Sequence, residues 1–129
     1  MKLIDAERFM EMANKDPEFK IAARYWNTTL KLEAGNSIFM VRIENGQISG
    51  IDSNPGLMED WDFDFFIRAP ENEWEMLLAP VPEPFYQALV PAVMLHGFDH
   101  GGDFESFCAY YRALSRMIEI MRLCRPAAA

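Results

Sequence analysis

With 129 residues, half of them hydrophobic and a quarter charged, the chain has the size and composition of one globular domain, burying about two-thirds of its unfolded surface. Its formal charge of −8 argues against a phosphate-tracking surface, so nucleic acid is not an expected partner. No run of about eighteen apolar residues spans a bilayer, and Met1-Lys2-Leu3-Ile4 leads into Asp5 and Glu7 rather than a signal-peptide core. A soluble, cytoplasmic protein without stable membrane insertion is therefore expected.

Asp5 to Ala13 reads as a short helix with Phe9, Met10 and Ala13 on one side, and Asp16-Pro17 caps and starts a second, Glu18 to Trp26. Residues 1–27 thus open the chain with two helices. From Thr28 the apolar period drops to two: Leu30 and Leu32 alternate with Thr29, Lys31 and Glu33, and Gly35-Asn36 turns into a second strand, Ser37 to Glu44. Asn45-Gly46 suits a type I′ turn, whose two central residues need positive φ, so Gln47 to Asp52 should return as a third strand of an antiparallel meander.

After a loop from Ser53 to Asp60, Trp61, Phe63, Phe65 and Ile67 alternate with Asp62, Asp64, Phe66 and Arg68, the pattern of a half-buried fourth strand with an aromatic face. Pro70 to Ala79 is a compact amphipathic helix turning Trp74, Leu77 and Leu78 inward, and Pro80, Pro82 and Pro84 end it. Two readings stand between Phe85 and Gly102: a helix interrupted at Pro91, or a short fifth strand from Val93 to Phe98. Asp103 then caps a final helix, residues 103–124, with Phe104, Phe107, Cys108, Tyr111, Leu114, Ile118 and Met121 in one stripe. Cys108 and Cys124 are sixteen residues apart in that helix, about 24 Å along its axis, too far to bridge. Pro126 to Ala129 reads as a frayed tail.

In this order the elements resemble the sterol carrier protein 2 family over roughly Thr28 to Leu123. Three segments carry the resemblance: the hairpin Ile38 to Ile48; Phe63-Asp64-Phe65-Phe66-Ile67-Arg68-Ala69-Pro70 running into Glu71-Asn72-Glu73-Trp74-Glu75-Met76-Leu77; and Gly102-Asp103 before an apolar helix. The resemblance implies an α+β fold in one domain, a curved antiparallel sheet of four or five strands covered on one face by helices. It also implies an apolar tunnel for fatty acyl chains, sterols or similar lipids. Leu78 to Gly101 departs from the family's pattern, since prolines and Val93-Met94-Leu95-His96-Gly97-Phe98 stand where a clear fifth strand belongs.

The expected ligand-lining surface is Phe63, Phe65 and Ile67 on the fourth strand, Phe39 or Met40 on the second, and Phe107, Tyr111, Leu114 and Ile118 on the last helix. Each such side chain stabilises the fold by about 1.5–3 kcal/mol when buried, so a filled core competes with a cavity as the reading of these residues. Tyr110 and Tyr111 either place hydroxyls at a pocket mouth or pack with wet tips. His96, Asp99 and His100 are weak metal candidates: the donor types suit zinc or iron, but no HExxH helix accompanies them. Neither Cys falls in an evident basic pocket, and no Gly-x-Ser-x-Gly elbow occurs. Glu71, Glu73 and Glu75, with Asp60, Asp62 and Asp64, read as solvated acidic faces. The expectation is a non-enzymatic carrier of a hydrophobic small molecule or lipid, without cofactor. Its rivals are a homodimer or accessory subunit of an enzyme using the same apolar surface, and a small metal-dependent enzyme.

Overall fold

The computed structural model describes residues 3–53 and 62–126. The opening helices, α1 (Ala6–Lys15) and α2 (Pro17–Ala22), meet at Asp16, which ends the first and caps the second. Asp5 caps α1 by accepting the Arg8 N–H, and Pro17 occupies the first turn of α2, where no intrahelical N–H is needed. The second helix is shorter than its sequence suggests, because Tyr25 adopts a φ of +70° and sends the chain into the sheet.

Strands β1 (Thr28–Ala34), β2 (Ser37–Glu44) and β3 (Gln47–Ser53) form the expected meander. Asn45 and Gly46, at φ of 52° and 76°, make its second turn in the left-handed region that this dipeptide favours. Strand β4 (Phe65–Ala69) pairs with β1 and β5 (Asp99–Gly102) pairs with β4, giving the order β3-β2-β1-β4-β5. The α+β class and the five strands are as expected, with one correction: β1 and β4 run parallel, so the sheet is mixed rather than antiparallel. A chain leaving β3 and re-entering beside Thr28, with Phe65 opposite Leu30, must run the same way as β1.

Three further expectations are corrected. The fourth strand begins at Phe65, not Trp61; the Asp64 carboxylate turns back onto β1, accepting the Thr29 N–H at 2.8 Å and the Thr28 hydroxyl at 3.0 Å. Trp61, Asp60 and the Asn54-Pro55-Gly56 loop lie outside the described residues, as does the Ala127 to Ala129 tail. A fifth strand exists, but at Asp99–Gly102 rather than Val93 to Phe98, of which Val93, Met94 and Leu95 belong instead to α4 (Leu89–Leu95). Pro91 does not interrupt this helix, because it falls in the first turn. The last helix comes in two parts, α5 (Phe104–Ala109), capped by Asp103, and α6 (Tyr111–Leu123), separated at Tyr110.

The register places Leu30 beside Val41 and Phe65, Leu32 beside Phe39 and Ile67, and Ala34 beside Ala69, all on one face. Phe9, Phe19, Trp74, Leu77, Leu89 and Leu114 from the helices join them in one core. Helix α3 (Glu71–Leu77) is anchored there by Trp74, whose indole N–H donates to the Glu33 carbonyl at 2.7 Å. Arg122 of α6 closes the opposite side, donating to the carbonyls of Leu77, Tyr86 and Gln87.

Candidate functional site

Within that core a column of rings runs from the surface to the sheet. Gly102, at a φ of +95°, ends β5 and Asp103 caps α5 by accepting the Ser106 N–H, so the turn between them sets Phe104 and Phe107 over His100. His100 stacks on Phe107 with centroids 4.5 Å apart and planes 6° apart, and Phe104 lies 6.0 Å from His100 on the outside. Phe107 meets Phe65 edge-on at 6.2 Å, and Phe65 in turn lies 6.2 Å from Trp26. Trp26 stacks on Tyr110 at 4.9 Å, which accounts for the set of the chain at the α5–α6 break. Tyr111 packs on Phe107 at 5.7 Å, and its hydroxyl accepts the Val90 N–H at 3.0 Å.

The Trp26 indole N–H donates to the Ser106 hydroxyl at 3.2 Å, and the column otherwise presents ring faces and edges to one another. The surroundings are therefore suited to apolar contact rather than directional chemistry. Phe39, Phe65, Ile67, Phe107, Leu114 and Ile118 belong to the one buried cluster, and Tyr111 packs at its margin. Met40 and Phe63 do not join them. Adjacent strand residues point to opposite faces, so with Phe39 turned inward Met40 lies on the outer face, across from Lys31. Phe63 precedes the strand, and its ring is edge-on to Phe66 at 6.2 Å with the Lys31 ammonium 4.8 Å above it. Trp26 and His100 carry no sequence signal for this role. Trp26 falls past the end of its helix and His100 in a Gly-rich strand, so neither shows an apolar period.

His96, Asp99 and His100 are directed to three different partners. His96 stacks on Tyr86 at 3.6 Å and bonds the Pro84 carbonyl; Asp99 takes Arg68 at 2.9 Å; His100 lies in the ring column. The Arg68 guanidinium holds the Asp99 carboxyl below the usual range. Among the described residues no group of three His, Cys, Asp or Glu is placed to hold a metal ion. The acidic residues are more than a solvated face. Glu73 accepts the Tyr86 hydroxyl at 2.6 Å, a bond that pushes the phenol up to about 12, and Glu75 pairs with Arg125. Burial raises the Cys124 thiol, whose sulfur contacts that of Met12.

Surface clefts of about 600, 310 and 450 Å³ flank the core, respectively between α2 and α6, beside Tyr25 and Tyr110, and beside Pro70 and Gly97. None of the three is lined by the buried residues of the column other than Trp26, which borders the second.

No protein-family model and no curated protein matches the chain. Its structure is similar to a crystal structure of sterol carrier protein 2, with a TM-score of 0.73 and 19% identity over 92% of this chain and 93% of that one. A conserved hypothetical protein from Thermus thermophilus, described as a candidate sterol carrier protein, gives 0.71 and 18% over 94% and 87%. The UbiJ-SCP2 ubiquinone synthesis protein gives 0.57 and 16% over 88% and 87%. At these identities the likeness is one of fold: the chain has the sterol carrier protein 2 fold.

Proposed function

We propose that this protein binds a hydrophobic small molecule, a fatty acyl, sterol-like or other lipid, between its sheet and helices and carries it without chemical change. The observation that carries the reading is the ring column from Phe104 through His100 and Phe107 to Phe65, continuous with the aliphatic Ile67, Leu114 and Ile118. An apolar ligand would replace ring-to-ring contacts with ligand-to-ring contacts of similar worth, so space opens by turning Phe107 and Tyr111 aside at modest cost. Phe39, Phe65, Ile67, Phe107, Tyr111, Leu114 and Ile118 are the proposed lining. The names of the structural neighbours support the class of ligand, since a sterol and ubiquinone are both large and poorly soluble in water.

Titration with a fluorescent fatty-acid probe, followed by displacement with unlabelled acyl and polycyclic lipids, tests the reading. Saturable binding of one probe per chain, competed by at least one lipid class, is expected. Failure of every acyl length and every polycyclic ligand to bind would refute it.

A further inference from the structure

One transverse row crosses the inner face of the sheet: Phe39 of β2 lies opposite Leu32 of β1, Leu32 opposite Ile67 of β4, and Ile67 opposite His100 of the edge strand β5. Residues directly opposite in a ladder point to the same face. Phe39, Leu32 and Ile67 are buried, so an apolar track of three strand spacings, about 14 Å, ends on a half-buried imidazole. That ring lies flat on Phe107, and neither of its nitrogens has a hydrogen-bond partner among the described residues. The other polar groups nearby are engaged, the Trp26 indole N–H by Ser106 and the Tyr111 hydroxyl by the Val90 N–H. At the far end of the row Ser53 is exposed, where water serves any head equally.

We infer that His100 selects the polar head of the bound lipid, and that this head is an uncharged hydroxyl held at the sheet edge, with the apolar body laid along the row toward Phe39. The inference rests on the carrier reading and adds the class of the guest and its direction. Charge decides between heads. Arg68 and Asp99 take the next ladder position on the outer face, where the guanidinium pairs with that carboxylate at 2.9 Å and covers the Phe66 ring. On the inner side Arg122 is spent on the carbonyls of Leu77, Tyr86 and Gln87, and Arg116 on Asp16 and Glu119. Beside a neutral imidazole an ionised carboxylate gains no full counter-charge, and drawing it out of water without one is costly. A hydroxyl avoids that cost. It pairs with whichever ring nitrogen faces it, donating to the bare one or accepting from the N–H.

Displacement of the fluorescent fatty-acid probe by two matched pairs, 1-hexadecanol against palmitate and cholesterol against cholesteryl hemisuccinate, at about pH 8 where both acids are ionised, tests the inference. In at least one pair the alcohol should bind the unaltered protein about three- to tenfold more tightly than the acid, the span of one hydrogen bond. Which pair does so tells a linear body from a polycyclic one. His100→Phe keeps a ring against Phe107 and removes both nitrogens; it should abolish the preference by weakening the alcohol alone. His100→Gln, whose amide donates and accepts, should restore it, and the His100 imidazole resonances of the unaltered protein should shift with the alcohol. Probe binding without any preference for an alcohol, a preference that survives in His100→Phe, or equal losses for alcohol and acid would overturn the inference and leave the carrier reading standing. If His100→Phe does not fold, the imidazole resonances decide, and their failure to move with either alcohol overturns it. No binding of probe or of any of the four lipids would end the carrier reading, and this inference with it.

Discussion

Asp16 uses one carboxylate for two ends of the chain. It caps α2 by accepting the Phe19 N–H at 2.8 Å and receives the Arg116 guanidinium from α6 in a two-pronged contact, at 2.9 and 2.8 Å. The Arg116 hydrogen bonds, with the Phe19 N–H, hold its carboxyl below the usual range. A depressed folded-state pKa means that the stabilisation is complete above the unfolded value of about 4 and is lost as pH falls through the folded one. Asp16→Asn retains a capping oxygen and removes the charge, so it isolates the ion pair. With both side chains partly exposed, 14% and 27%, we expect a loss of about 1 kcal/mol at pH 7. Urea unfolding across pH should show that difference shrinking below about pH 4; a pH-independent difference would assign the cost to packing. The cap was legible in Asp16-Pro17, because it is local. The partner 100 residues away was not, because a surface Arg carries no sign of its distant carboxylate.

The elements show where periodicity stops being informative. Asp99-His100-Gly101-Gly102 has no apolar alternation, yet it is a strand, because Gly102 comes so close to β4 that no side chain fits. A Cβ there would lie 2.5 Å from the Asp64 carbonyl oxygen and 2.7 Å from the Phe65 Cα, and the φ of +95° disfavours any other residue. Gly102→Ala should therefore destabilise the fold by about 2 kcal/mol or more, measured by chemical denaturation. Hydrogen exchange should show early loss of protection in β5, whereas an unchanged β5 would mean that the strand shifts freely. The α5–α6 break leaves no mark in the sequence for the opposite reason: the apolar stripe continues across Tyr110, so the pattern is that of one helix. At β4 the alternation extends past the real strand, because Asp64 leaves the ladder to hold Thr28 and Thr29.

Across the whole molecule the meander, the Trp74 helix, the Asp103-capped start of the C-terminal helical segment and the α+β class could be read in order, since each rests on local spacing and turn chemistry. The parallel pairing of β1 with β4 could not, because partner choice between distant strands leaves no mark on either strand's period. The same limit applied to the candidate site. Periodicity marked Phe39, Phe65, Ile67, Phe107, Leu114 and Ile118, which the fold collects in one core. Between Phe39 and Met40 the fold turns Phe39 inward; Phe63 lies outside that core, and Trp26 and His100 join the ring column from turns and strand ends that carry no apolar period. A carrier requires that this core admit an apolar guest. Native mass spectrometry of protein purified without delipidation, then of stripped protein incubated with acyl and polycyclic lipids, tests it most directly. One lipid per chain is expected, retained from the purification or taken up on incubation and released into organic solvent. The bare chain mass in both preparations would contradict it.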